Sequence, residues 1–317
     1  MRRVKGGLGL VGGLVLGLAL VLGLRFFGLA DVPIASMPSS STQTDTVVAS
    51  SSPELAEPLQ YEAVTLPRAT VHLLTIPVES ADTLQVGISD NLQPVSQWGS
   101  PEDTVAVLNA GFFDPQNGQT TSYVTIAGEL VADPRDNPRL MNNPDLAPYL
   151  GKILNRSEFR RLNCGEGIRY VIAAHNTPLP ANCTLIDAVG AGPQLLPTDT
   201  AFEEGFIDFN QAGEISRDAL GSRSLNARTA VGIKANGDVV WAMVAQRPDG
   251  ASPSGMTLGE LAEFLSDQGA AFALNLDGGS SSTLYFDGTT HHGRWDAGGN
   301  PIQRAVKSVL QLTRSQP

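Results

Sequence analysis

The chain has 317 residues, 42% hydrophobic and 17% charged, and its 21 Lys and Arg against 32 Asp and Glu give a net charge of −11. That balance argues against nucleic acid as the main partner, because no basic surplus exists to neutralise phosphates. It leaves room for a small anionic substrate held by one or two local arginines, while 33 Gly, 21 Pro and only 6% aromatics argue against a helical bundle.

The chain opens on the basic stretch MRRVK, followed by nineteen uncharged residues at 6–24. That run is long for a signal-peptide core and just long enough to span a bilayer. Small residues at 28 and 30 offer a cleavage site after Ala30. Residues 1–30 therefore read as a signal peptide or a signal anchor. In either case the basic end stays inside and the rest is exported, to the periplasm or the medium, tethered to the membrane if 6–24 is retained. Residues 31–60 read as a Ser/Thr/Pro-rich linker. Ten of the 23 residues at 36–58 are Ser or Thr and three are Pro, so the segment buries too little to offset its ordering entropy.

A single domain is expected over 61–317. Strand patterns run through 69–78, 83–89 and 104–113. Residues 133–163 read as loop. The strand pattern resumes at 168–175 and 183–196, and residues 199–226 read as an insertion or flap. Residues 228–245 form a hairpin about Asn236-Gly237. Thr257 and Glu260 make a capping box for a helix through Leu258, Leu261, Ala262 and Leu265, and Gly269 is its stop. A buried strand follows at once. The expected fold class is α+β, a mixed and strongly twisted β-sheet core with a few packed helices. Cys164 and Cys183, nineteen residues apart, read as one disulfide of an exported protein.

Three segments set a polar residue at the margin of an apolar strand beside small residues. In ALNLDGGSSST, period-two geometry puts Asn275 and Asp277 on one face. Gly278 and Gly279 allow close approach of a ligand, and Ser280 to Thr283 add donors. Read alone, the same letters also describe an Asp-Gly turn. In NAGFFD, Asn109 ends a strand, Gly111 turns, and Phe112 and Phe113 can wall a pocket. In RTAVGI, Arg228 and Thr229 open a strand. A P-loop, a G-x-S-x-G elbow and an HExxH zinc motif are all absent from the sequence. A serine hydrolase built on Ser281 needs a base from His72, His175, His291 or His292, and His291-His292 reads as a solvated turn. Asp114 reads as the start of an Asp-Pro turn. No cofactor is expected, although Asp114, Asn117 and Asp277 offer oxygen ligands to a cation such as calcium.

In order, NAGFF (109–113), RTAVGI (228–233), GMTLGELAEFL (255–265) and LNLDGGSSST (274–283) resemble the motifs of the phosphodiester glycosidase family. GAGPQLL (190–196) and QRAVKSVL (303–310) are similar to its weaker motifs, and the resemblance covers roughly 65–313. It departs at Ala110 and Ser280, where the family commonly has Gly, and at Ser308, where Asn is usual. The resemblance implies hydrolysis of a sugar-1-phosphodiester, with cleavage between the anomeric carbon and oxygen. Asp277 would be the catalytic carboxylate beside an oxocarbenium-like state. Arg228 would clamp the phosphate, aided by Ser281, Ser282 and the Gly278-Gly279 N–H groups, with Arg304 as a second clamp. Asn109 would hold a sugar hydroxyl or polarise the attacking water, and Gly111, Phe112, Phe113 and Thr229 would line the pocket. Two other readings remain open: a non-catalytic envelope protein that binds glycans through the same pocket, and the serine hydrolase.

Overall fold

A computed structural model describes residues 58–249 and 253–315. The signal segment 1–30 and most of the linker lie outside these residues. Among the described residues no helix is long and apolar enough to cross a membrane.

Strands dominate. The described residues form three main antiparallel sheets and one small hairpin. The first sheet, edge to edge, is Gln60–Thr65, Ala69–Ile76, Val239–Gln246, Arg228–Lys234, Ala270–Asn275 and Gln194–Leu196. The second is Thr289–His292, Thr283–Phe286, Thr104–Asn109, Ala305–Thr313 and Thr83–Pro94. The third is Glu129–Ala132, Val124–Ile126, Thr184–Gly190, Ser157–Asn163 and Ile168–Ala174.

The expected α+β class with a mixed sheet is thus corrected. Every strand pair among the described residues is antiparallel, and Leu258–Asp267 is the longest helix among them, at ten residues. The remaining helices are single turns of three or four residues. Short turns join some of these pairs, such as Gln60–Thr65 with Ala69–Ile76, while others, such as Thr83–Pro94 with Ala305–Thr313, pair antiparallel over a long stretch of intervening chain.

The long helix forms as its letters dictate. Thr257 accepts from the Glu260 N–H at 3.1 Å, and the Glu260 carboxylate accepts from the Thr257 N–H at 2.8 Å. This reciprocal cap satisfies two of the four N–H groups that a helix start leaves without partners. Leu258, Leu261 and Leu265 are buried and meet Val71, Leu73, Val240, Ala242 and Val244 on one face of the first sheet. The opposite face carries Leu74, Ile76, Trp241, Met243 and Leu274 into a core shared with Leu108 and Leu310 of the second sheet and Phe159 and Val189 of the third. The middle strands of the first sheet are therefore covered on both faces, and their sequences are nearly continuous in apolar residues. The hairpin turn has Gly237 at φ 96°, and Arg228–Ile233 pairs with Val239–Val244 in register.

Two further expectations change. Ser157–Asn163 is a strand, not loop, although it reads SEFRRLN. His291 and His292 end a strand instead of forming a solvated turn. The His291 ring stacks on His72 at 4.2 Å, and both share the Tyr61 hydroxyl. Segment 199–226 contains the hairpin Ile207–Phe209 with Ile215–Asp218. Cys164 and Cys183 are joined in a disulfide.

Candidate active site

The first and second sheets are linked by residues 276–282. The strand Ala270–Asn275 ends in the first sheet, and Thr283–Phe286 begins in the second. Main-chain bonds fix this crossing to both sheets. Leu276 N–H donates to Thr229 at 2.8 Å, and Asp277 N–H donates to Ala110 at 2.8 Å. Gly279 N–H donates to Ala227 at 2.8 Å. A Cβ on Gly278 would sit 3.2 Å from the Ala227 carbonyl oxygen, and Gly279 has φ 62°. Close approach at one position and left-handed backbone at the next are what glycine permits. Ser280 stays out of the left-handed region, so the backbone there accepts a side chain where the family commonly has Gly.

Asn109 closes the seam between the sheets. It is fully buried. Its Nδ2 donates to the Asp277 carbonyl at 2.6 Å, and its Oδ1 accepts from the Thr229 hydroxyl and the Thr283 N–H, both at 3.0 Å. Thr229 is equally buried. Ser308 contributes from the neighbouring strand, where its hydroxyl accepts from the Gly111 N–H at 3.0 Å. A Cβ on Gly111 would meet the Gly190 carbonyl at 2.9 Å, which presses this turn against the third sheet.

Asp277 lies at the floor of a cleft of about 170 Å³, lined by Ala219, Leu220, Asn226, Arg228 and residues 275–279. Its surface is half-buried and its carboxyl is poorly solvated. Burial pushes the carboxyl up to about 6, against opposing pulls from the Ser281 hydroxyl, the Arg304 charge and the Gly278 N–H. None of these three groups is a carboxylate. Desolvation is the largest of these effects, and it penalises the ionised form. A carboxyl balanced near neutrality in a cleft has the properties required of a catalytic group.

The two arginines differ. Arg228 is 3% exposed. Its Nε donates to Met256, one terminal nitrogen to Leu220, and the other to Gly221 and Ser224, at 2.7–3.1 Å. Four of its five N–H groups are thereby engaged by main-chain carbonyls. Burial pushes its guanidinium down to about 10, with Asp218 opposing. Arg304 is half-buried, lies over the Phe113 ring at 5.7 Å, and makes no hydrogen bond among the described residues. Phe112 turns the other way and meets Phe206 at 5.8 Å.

The remaining expected residues divide between cleft and core. Ser281 is 5% exposed with its hydroxyl on Asp277. Ser282 is fully buried behind the turn, close to Gly293, and its hydroxyl has no protein partner among the described residues. Asp114 is turned away. It accepts from the Gln116 N–H, as an Asx turn does, and pairs with Arg139 at 2.7 Å. Asn117 bonds to Asn137. Among the described residues no cluster of three or more His, Cys, Asp or Glu is placed to hold a metal ion. Asn226, absent from the sequence expectations, lines the cleft. Its signal was its place two residues before Arg228 in LNART.

The described residues thus form an antiparallel β scaffold with one desolvated carboxyl, Asp277, in a cleft. The chain belongs to the phosphodiester glycosidase family, whose family model matches residues 102–313. Glycosidase-type hydrolysis is the activity of that family. The fold is similar to the catalytic domain of zebrafish N-acetylglucosamine-1-phosphodiester alpha-N-acetylglucosaminidase, auto-inhibited by its pro-peptide. The two share 20% identity over 84% of this chain and 85% of that one, with a TM-score of 0.57. It is also similar to a protein from Burkholderia pseudomallei K96243 described as exported, at 16% identity over 77% and 74%, with a TM-score of 0.52. A Synechocystis protein matches at 17% identity and a TM-score of 0.49; the alignment covers 81% of this chain and 62% of that one. No curated protein matches the chain.

Proposed function

We propose that the chain hydrolyses a sugar-1-phosphodiester of an exported or envelope glycoconjugate. Water adds at the anomeric carbon, the bond from that carbon to the phosphate oxygen breaks, and a phosphomonoester leaves. The observation that carries this reading is Asp277, a carboxyl pushed up to about 6 at the floor of a small cleft with the Arg304 charge beside it. In ionised form it meets the positive charge that develops at the anomeric carbon. The phosphomonoester is a good leaving group, so the reaction needs no strong general acid. Arg304, whose guanidinium makes no hydrogen bond among the described residues, holds the phosphate. Arg228 acts through position. Its four carbonyl partners tie segments 220–224 and 256 to the cleft wall, and Asn109 holds the Asp277 backbone. Export is supported by the basic and apolar N-terminus and by the disulfide.

The serine-hydrolase reading is weakened by Ser281, whose hydroxyl is bonded to Asp277, with no histidine bonded to it among the described residues. The test is release of reducing sugar from a panel of sugar-1-phosphate methyl esters by the full chain. Turnover that is lost in Asp277→Asn supports the proposal. Binding that survives Asp277→Asn, with no turnover in either protein, sinks it in favour of a glycan-binding protein.

A further inference from the structure

Two more arginines, outside the Asp277 cleft, are held alike. Arg156 lies just before the strand Ser157–Asn163, and its Nε donates to the Glu204 carbonyl at 3.1 Å. Arg217 lies in the hairpin strand Ile215–Asp218, and its Nε donates to the next carbonyl, Gly205, also at 3.1 Å. Each guanidinium lies over an aromatic ring, Arg156 at 3.7 Å from the centre of Phe206 and Arg217 at 4.6 Å from that of Tyr149. Among the described residues neither makes any other hydrogen bond, and neither pairs with a carboxylate.

The consequence is geometric. Fixing Nε and one face of a guanidinium leaves its two terminal nitrogens as a planar fork without protein partners among the described residues. That fork matches the two oxygens of a phosphoryl or carboxylate group. Two such forks are anchored on consecutive carbonyls, and their charges act on each other. Burial first, and then Arg217, push Arg156 down to about 10, with Glu204 opposing. The nearby carboxylates are already occupied. Glu204 accepts from Ser157, Gln194 and Thr200, and Asp208 accepts from the Tyr149 hydroxyl and the Phe209 N–H. An arriving oxyanion would relieve the repulsion and fill both forks.

The pair stands one aromatic layer from the cleft. Phe206, under Arg156, also meets Phe112 at 5.8 Å. The Phe206 carbonyl accepts from the N–H of Ala219, which lines the Asp277 cleft. At about 170 Å³ that cleft is below the ~300–1,000 Å³ usual for ligand pockets, so a substrate larger than one ring extends beyond it.

We propose that Arg156 and Arg217 form a second anion subsite, which takes a phosphoryl or carboxylate group carried by the substrate away from the bond that is cleaved. The subsite rests on the hydrolase reading for its link to substrate, but its anion binding does not.

Calorimetric titration of the full chain with inorganic phosphate, at constant ionic strength, tests it. The Arg304→Gln background removes the phosphate ligand of the Asp277 cleft. One phosphate is expected to bind there, and adding either Arg217→Gln or Arg156→Gln should weaken it at least tenfold. Arg217 is half-exposed in the hairpin, so Arg217→Gln keeps the test sound even if Arg156→Gln fails to fold. Acetate in place of phosphate distinguishes carboxylate from phosphoryl preference. No phosphate bound in the Arg304→Gln background, or binding indifferent to both arginines, overturns the subsite. With substrates that do and do not carry a second anion, Arg217→Gln should raise KM about tenfold for the first only, with kcat unchanged. Equal KM changes for both would overturn the link to substrate. Absence of all turnover would count against the hydrolase reading and leave the phosphate titration to decide the subsite.

Discussion

Arg228 and Arg304 are both near Asp277 and are held in opposite ways. Arg228 begins a central strand, is 3% exposed, and gives four hydrogen bonds to carbonyls. Arg304 precedes the strand Ala305–Thr313, keeps its hydrogen bonds free, and reaches Asp277 only through its charge. The same residue type therefore spends its donors on the protein in one place and keeps them free in the other. What separates them is the supply of nearby main-chain acceptors. A buried guanidinium must satisfy its donors inside the protein, and one that does so has little left for a ligand.

The largest effect should come from Asp277 itself. Asp277→Asn keeps shape and removes charge, and turnover of a sugar-1-phosphodiester should fall about 10²–10⁴-fold. Its unfolding midpoint should not fall, because the change deletes a poorly solvated carboxyl. Next is Arg228→Gln. A buried carbonyl left without a donor costs ~1–3 kcal/mol; Met256 is buried and the other three partners are reached by solvent, so a loss of about 1–3 kcal/mol is expected in denaturant titration. If Arg228→Gln instead kept wild-type stability and lost only substrate affinity, the contrast would break, and Arg228 would be the phosphate clamp. Arg304→Gln should do the reverse: stability within ~0.5 kcal/mol of wild type, with KM raised about tenfold.

Legibility in the sequence follows the same division. The hairpin at 228–246 and the capped helix are written in short-range letters, an Asn-Gly turn and a Thr257–Glu260 box, and both form. Strand Ser157–Asn163 was hidden because its charges cancel inside the protein. Arg160 pairs with Glu158 at 2.7 Å and donates to Ala174, His175 and Thr177. A pattern rule reads such charges as surface. At the site, Asp277 and its glycines could be picked out because an acid among apolar residues stands out. The use of Arg228 could not, since its partners at 220, 221, 224 and 256 are carbonyls, and any residue there supplies one. Asn109 was visible as polar but not as a staple. Its three partners come from segments 120 or more residues away.

The smallest effect is also the sharpest, because it has a sign. Asp277 has its folded value raised to about 6 from an ordinary 3.8. Over that interval the folded chain holds more proton than the unfolded one, so this group's contribution to stability is present below about 3.8 and is lost as pH rises through 6. Asp277→Asn carries no such titration, so its stability should decline less than that of the wild type between those limits. Catalysis runs the other way. If the ionised carboxylate meets the anomeric carbon, kcat/KM should climb as pH rises through about 6. Arg304 and the Ser281 hydroxyl both favour the charged form. Arg304→Gln and Ser281→Ala should therefore move that acid limb to higher pH, by a fraction of a unit each. Arg228 is absent from the groups that act on Asp277, so Arg228→Lys should leave the limb where it is, even as it lowers stability. A limb that followed Arg228→Lys and ignored Arg304→Gln would exchange the two arginines' roles.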